Sequence, residues 1–379
     1  MIKKYPVQLL SFILVAILLF TIASCKKDNN NNGTTPVVVT PPVPATATPT
    51  KLGLFEVDSD IYKLLYMPIS QIGTKIVDYD MIFDTGSGGM VIDANGILPA
   101  SMITSTGIVF TGDSTVVNGI TITSEESIVE YGDDDASLTK VYGNLAYANV
   151  TIGGTDGNII VKRLPFFIYY KGVDASGNIM AQHYFDVLGV SSQYDITFSN
   201  NAYITSPFSY FDPGTGLTKG FKMGALGTSH FSLDGTYVPG AVTLGLTASD
   251  LSPSSSGFTM SQLSFSTGNG YLPIIPANIT YKGKSTSTSV LFDTGTEPYS
   301  YIEDKTATGL SLLAQNTAVN LVANSGFNYA YTTAAKENLT YIENPTTSGA
   351  NVSIMSLEYF LTGEYMLDFT NHKLGLKNN

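Results

Sequence analysis

The 379-residue chain reads as an all-β protein of two lobes with a cleft between them, and three observations predict it. Segments such as Lys75-Ile76-Val77-Asp78-Tyr79-Asp80-Met81-Ile82-Phe83 alternate with the period of a half-buried strand. Gly and Asn turns recur between such segments, at Gly119, Gly143, Gly153-Gly154 and Gly157-Asn158. The chain also repeats itself. Ile82-Phe83-Asp84-Thr85-Gly86-Ser87 returns 209 residues later as Leu291-Phe292-Asp293-Thr294-Gly295-Thr296, and a Pro-Ile pair precedes each copy (Pro68-Ile69 and Pro273-Ile274). A body of about 330 residues exceeds one ordinary core, so two β lobes are expected, 52–246 and 247–379. The boundary is placed near Thr247, before the polar, Pro- and Ser-rich run from Ser249 to Gly257. Helical stretches are few, Ile302 to Gln315 being the best candidate.

Ahead of the body, Lys3 and Lys4 precede a nearly all-apolar run from Val7 to Ala23 that is short for a spanning helix. Residues 1–24 therefore read as an export signal. It ends in Ile22-Ala23-Ser24-Cys25, similar to the lipobox of bacterial lipoproteins, which implies that Cys25 becomes the lipidated N-terminus. Cys25 is the only cysteine, so no internal disulfide can form. Residues 25–51 are rich in Asn, Thr and Pro and read as an extended tether. The expected location is the bacterial cell envelope, with the body lipid-anchored to the outer membrane on its periplasmic or surface face. Lys26-Lys27-Asp28 is loosely similar to a surface-export signal.

In the body, each copy of the repeat is an apolar strand end that delivers an Asp into a turn of Thr and Gly. Gly permits the tight turn and close backbone approach. The Thr hydroxyl can tie that turn to a neighbouring backbone group. Two such turns can bring Asp84 and Asp293 to one spot. Carboxylates a few ångströms apart cannot both ionise, so one stays protonated while the other is anionic. A general base and a general acid then stand together without His, Cys or metal. That pair suits hydrolysis of a peptide bond by direct water attack, with no covalent intermediate and no cofactor. One Asp-Thr-Gly can arise by chance in a chain so rich in Thr and Gly; two with matching flanks are far rarer.

Further segments follow in a consistent order. They are Glu130-Tyr131-Gly132-Asp133, Val187-Leu188-Gly189-Val190, Phe231-Ser232-Leu233 with Gly240-Ala241-Val242-Thr243-Leu244-Gly245, and a closing run from Ile354-Met355-Ser356 through Tyr365-Met366-Leu367-Asp368-Phe369 to Leu374-Gly375-Leu376. With the two motifs, they resemble the pepsin family of aspartic proteases from about Tyr62 to Lys377. The resemblance implies two pepsin-like β-barrel lobes and an aspartic endopeptidase whose dyad is Asp84 and Asp293. It implies Asp293 as the base that takes the water's proton and Asp84 as the acid; a proton shared between them is the known behaviour of such dyads. Ser87 and Thr296 would hydrogen-bond the outer carboxylate oxygens, Thr85 and Thr294 would cross-link the loops, and Gly86 and Gly295 complete the turns. Tyr131 and Gly132 would form a flap tip over a peptide or protein substrate.

The sequence also departs from the family. It has no Trp, and Val91 stands where the flap Tyr usually finds one. Asp134 replaces a common flap Gly, Glu297 a usual Ser, and Ser356 the Gly of the second apolar-apolar-Gly segment. Between Cys25 and Lys51 no mid-chain Lys is placed to plug the dyad, so no self-inhibiting prosegment is expected.

Rival chemistries lack partners. Ser87 has no His in a triad-like context, since His183, His230 and His372 lie in unrelated ones, and no His pair has metal-ligand spacing. Asp133-Asp134-Asp135 reads as a solvated hairpin tip rather than a Ca²⁺ site. A net charge of −12 and a pI near 4.6 argue against a nucleic-acid partner. The internal duplication makes dimerisation unnecessary, so a monomer is expected. The contrasting reading is a catalytically weak surface module that uses the cleft to bind peptide or glycan.

Overall fold

The computed structural model describes residues 46–132, 138–349 and 351–379. Cys25, the export signal, most of the tether and Asp133 to Asp135 lie outside the described residues. Those from 46 onward belong to one compact unit. Among them, no helix is long and apolar enough to cross a membrane.

Strands dominate, and the two motif strands occupy equivalent places in two large sheets. In the first, Lys75–Asp84 pairs antiparallel with Tyr62–Ile72 and parallel with Val187–Val190, bringing Gly189 opposite Asp84. Gly88–Asp93, just past the turn, lies antiparallel on the other side of Val187–Val190. In the second, Lys284–Phe292 pairs antiparallel with Ile274–Tyr281 and parallel with Val352–Met355. Tyr299–Glu303 then lies antiparallel on the far side of Val352–Met355. The sequence repeat is therefore a structural one: each Asp leaves a strand wedged between a hairpin partner and a parallel strand from much later in the chain.

Packing fixes these strands from below. Phe83 and Phe292 are fully buried. Phe83 meets Phe221 edge-on with centroids 6.2 Å apart, and Phe292 meets Tyr359 at 4.5 Å. Burying such rings contributes on the order of 2–3 kcal/mol each, which ties the dyad's position to the core.

The chain's two halves share hydrogen-bonded structure. In the fourteen-stranded sheet, Thr218–Met223 pairs with Gly363–Asp368 on one side and with Thr236–Leu246 on the other. Lys373–Asn378 and Thr259–Gln262 extend the same edge. The position near Thr247 thus falls just after a strand whose sheet later takes up strands from the C-terminal segment. A separate eight-stranded sheet carries Asp293. The first strand, Thr50–Ser59, begins inside the segment read as tether, with Thr50 opposite Leu244 and Lys51 opposite Thr243.

The helix expected over Ile302 to Gln315 does not form. Ile302 belongs to the strand Tyr299–Glu303, paired parallel with Leu339–Glu343, and Ser311–Leu312 is a short edge strand of the same sheet. Between them Asp304 accepts hydrogen bonds from the Thr306 amide (2.8 Å) and hydroxyl (2.7 Å), the side-chain competition that turns a chain away from helix. Among the described residues the α-helices are single turns: Pro253–Ser256, Pro345–Ser348 and Glu358–Thr362.

Candidate active site

The two Asp-Thr-Gly turns meet back to back. The Thr85 amide donates to Thr294 Oγ1 at 3.1 Å, and the Thr294 amide donates to Thr85 Oγ1 at 3.0 Å. Each hydroxyl in turn donates across the cleft floor, Thr85 to the Phe292 carbonyl (2.9 Å) and Thr294 to the Phe83 carbonyl (2.6 Å). Both threonines are fully buried, so these bonds have no water to compete with them. Thr85→Val or Thr294→Val leaves a buried amide without its acceptor, and each is expected to cost about 1–3 kcal/mol. The loss should appear as a lower denaturant midpoint with an unchanged slope. The double variant should cost less than the sum, because both bonds belong to one network.

The cross-linked turns place the carboxyls face to face. Asp84 Oδ1 accepts the Gly86 amide at 2.7 Å and the Ser87 amide at 3.1 Å, and Ser87 Oγ donates to Oδ2. Asp293 Oδ1 accepts the Gly295 amide at 2.8 Å, and Thr296 Oγ1 donates to Oδ2. The glycines are required by the opposite acid. A Cβ on Gly86 would stand 2.6 Å from both Asp293 carboxylate oxygens, and one on Gly295 would stand 2.9 Å from Asp84 Oδ1. Burial raises Asp293 well above the usual carboxylate range, and the neighbouring charge of Asp84 adds to that. Asp84 accepts one more donor than Asp293. A proton shared by the pair is therefore favoured on Asp293.

The dyad floors a cleft of about 670 Å³ lined by Ser87, Thr296, Tyr131, Gly132, Phe185 and neighbouring residues. Tyr131 ends the strand Ile120–Tyr131 and is paired antiparallel with Thr139 on the following strand. Gly132 takes a φ of +120°, a region that side chains avoid. The Tyr131 ring packs on Phe185, centroids 4.8 Å apart, in an apolar cluster that includes Val91. Val91 and Phe185 thus supply packing where the family uses Trp. Burial, with the charges of Asp195 and Asp84, holds the Tyr131 phenol well above its ordinary range, so it stays protonated.

Ser356 takes the place by the second Asp that Gly189 takes by the first. A Cβ on Gly189 would stand 2.7 Å from Ser87 Oγ. The Ser356 side chain instead meets Ser300 Oγ at 3.3 Å, and its amide donates to the same oxygen at 3.1 Å.

Two cleft residues escaped the sequence reading. Asp195 Oδ2 accepts the Gly88 amide at 2.7 Å, while the Gln193 side-chain amide donates to the Gly86 carbonyl (2.8 Å) and to Asp195 Oδ1 (2.6 Å). Together they brace the outer side of the first turn. Their only signal was polar residues soon after Val187–Val190. Tyr365 was missed as well: it is buried close enough to the dyad for both Asp charges to raise its phenol, after burial itself.

No protein-family model matches the sequence, and no curated protein matches it. Solved structures do. An aspartic proteinase from Irpex lacteus is 19% identical, with a TM-score of 0.55 over 88% of this chain and 98% of its own. The fold is pepsin-like. Basic 7S globulin from soybean aligns over 87% of this chain and 96% of its own, 12% identical with a TM-score of 0.54, and its name states no activity. Identities this low establish the pepsin-like architecture of two β-rich lobes and leave chemistry to the site.

This pepsin-like body also carries acids that favour low pH. Glu56 is fully buried, its carboxyl has no hydrogen-bond partner among the described residues, and burial pushes it up to about 7. Glu297 is pushed up to about 8 by burial and then by the charge of Glu358, against the opposing charge of Lys63. No donor meets hydrogen-bond geometry at either Glu297 oxygen among the described residues, although the Lys63 and Leu357 amides approach more loosely. Both acids keep their protons in the fold at a pH where the unfolded chain has released them. The stability these two acids contribute is therefore full below about pH 4.5 and is lost as pH rises to about 8. Glu297→Gln and Glu56→Gln should each raise Tm at pH 8, leave it unchanged near pH 4, and flatten Tm against pH between them.

Proposed function

We propose that the protein is an aspartic endopeptidase that hydrolyses peptide bonds through a water activated by Asp84 and Asp293. The observation that carries this reading is the reciprocal Thr85–Thr294 cross-link holding two buried carboxyls face to face on the floor of a cleft. Asp84, the anion, takes a proton from a water between the carboxyls. The water oxygen attacks the peptide carbonyl, and the Asp293 proton passes to the developing oxyanion. Collapse of the tetrahedral intermediate then transfers a proton to the leaving nitrogen and breaks the C–N bond. Ser87 and Thr296 keep each carboxylate oriented by hydrogen bonds to its outer oxygen. Tyr131 on the flap closes over the peptide and excludes water.

Peptide or protein is the substrate in this reading, and no cofactor takes part. The envelope location and the lipid on Cys25 belong to the same proposal and rest on the sequence of residues 1–25. The experiment is digestion of an unfolded protein with and without pepstatin. Cleavage that pepstatin blocks supports the peptidase. Tight peptide binding with no cleavage at any pH would instead support a surface binding module.

A further inference from the structure

We propose that Asp195 selects substrates carrying a lysine or arginine side chain beside the scissile bond, on the side of the cleft formed by the first turn. This rests on the peptidase reading and narrows its substrate class.

The charge in the cleft is one-sided. Its charged lining residues among those described are Asp84, Asp293, Asp195 and Glu130, with no Lys, Arg or His among the described lining residues. Glu130 is paired with Lys140 at 2.6 Å and is half-exposed. Asp84 and Asp293 are committed to the dyad. That leaves Asp195 as the acid without a cation within ion-pair distance among the described residues.

Its partners are neutral donors. The Gly88 amide satisfies one oxygen and the Gln193 side chain the other, and each carboxylate oxygen retains acceptor capacity beyond that single bond. The Gly88 amide follows directly on the first turn, and the Gln193 side chain is itself tied to the Gly86 carbonyl, so the carboxyl is held in one orientation before any ligand arrives.

Its surroundings reward a cation and penalise the alternatives. Burial, with the charge of Asp84, pushes the carboxyl up to about 7, so the anion is short of stabilisation where it stands. Tyr131, the titratable group facing it from the flap, stays protonated and brings no positive charge. A bound ammonium or guanidinium would supply that charge. An apolar side chain would bury the carboxyl further without a partner, and a glutamate would add a third negative group beside Asp84 and Asp195. Attraction for the basic residue and rejection of the acidic one come from the same atom pair.

The test uses peptides identical except for Lys, norleucine or Glu at one position, scanned across the residues flanking the scissile bond. The full-length protein is compared with Asp195→Asn, which keeps an acceptor for the Gly88 amide, and with Asp195→Lys. At one position the wild type should prefer Lys to norleucine by about tenfold or more in kcat/KM, the size expected of a charge-assisted hydrogen bond. Asp195→Asn should bring that ratio near one, and Asp195→Lys should invert it toward Glu. Fluorescence anisotropy of the same labelled peptides bound to Asp293→Asn, with and without Asp195→Asn, reads the ratio without turnover. Equal use of Lys and norleucine at every position, or a ratio that survives Asp195→Asn, overturns the inference and leaves Asp195 as a brace for the turn. A wild type that cleaves nothing overturns the peptidase reading, and the binding ratios then decide this inference alone.

Discussion

Asp84→Asn and Asp293→Asn are each expected to reduce peptide cleavage by about 10⁴-fold or more, because the two carboxyls act as one acid–base unit. The fold should survive both changes. Asn is nearly isosteric with Asp, and its carbonyl can still accept the amides of Gly86 and Ser87 or of Gly295. Asp84→Asn removes the base, and Asp293→Asn removes the proton that the substrate carbonyl receives. Combining the two should cost hardly more than either alone, which separates a coupled dyad from two independent contributors. The measurement is kcat/KM on one peptide for all four proteins, with Tm recorded beside it. Multiplicative losses would show that the carboxyls work separately.

The second large effect is expected from a single methyl group. Gly86→Ala places a Cβ 2.6 Å from both oxygens of Asp293, well inside contact distance. Asp293 cannot swing away freely, since Gly295 and Thr296 hold its two oxygens. A displacement near 1 Å at reacting atoms costs about 10²-fold in rate, and the fall should appear mainly in kcat. Gly224→Ala is the control: nothing lies within 4 Å of a Cβ there, and its backbone is not in the left-handed region. A Gly86→Ala protein as fast as the control would mean that the two turns stand further apart than described here.

Much of this site was legible because its chemistry is local. Asp-Thr-Gly specifies a strand end, a tight turn and a hydroxyl in three residues, and the repeat supplied the partner turn. Tyr131 was legible for the same reason, as the end of the alternating strand Ile120–Tyr131. Features that depend on distant strands were not legible. Asp195 reaches the first turn only because Val187–Val190 is inserted between Lys75–Asp84 and Gly88–Asp93. Nothing in Leu-Phe-Glu-Val shows that Glu56 will be fully buried. The segment from Ile302 to Gln315 was the best helical candidate in the sequence, yet Ile302 is captured by Ile342 forty residues away. The acid–base division shows a different limit. A nearly symmetric motif pair gives each Asp the same neighbours in sequence, and the extra amide donated to Asp84 by Ser87 becomes visible only in the structure.

The proposed mechanism requires Asp84 and Asp293 to share one proton, held on Asp293. Carbon-13 NMR of the carboxyl carbons in Asp-labelled protein, titrated from pH 2 to 9, tests it directly. Asp293 is expected to titrate well above the ordinary carboxylate range, for burial first and the Asp84 charge second. That elevation should shrink, without vanishing, in Asp84→Asn, where the charge is gone and the burial remains. Two carboxyls that both titrate in the ordinary range, each indifferent to the loss of the other, would contradict it.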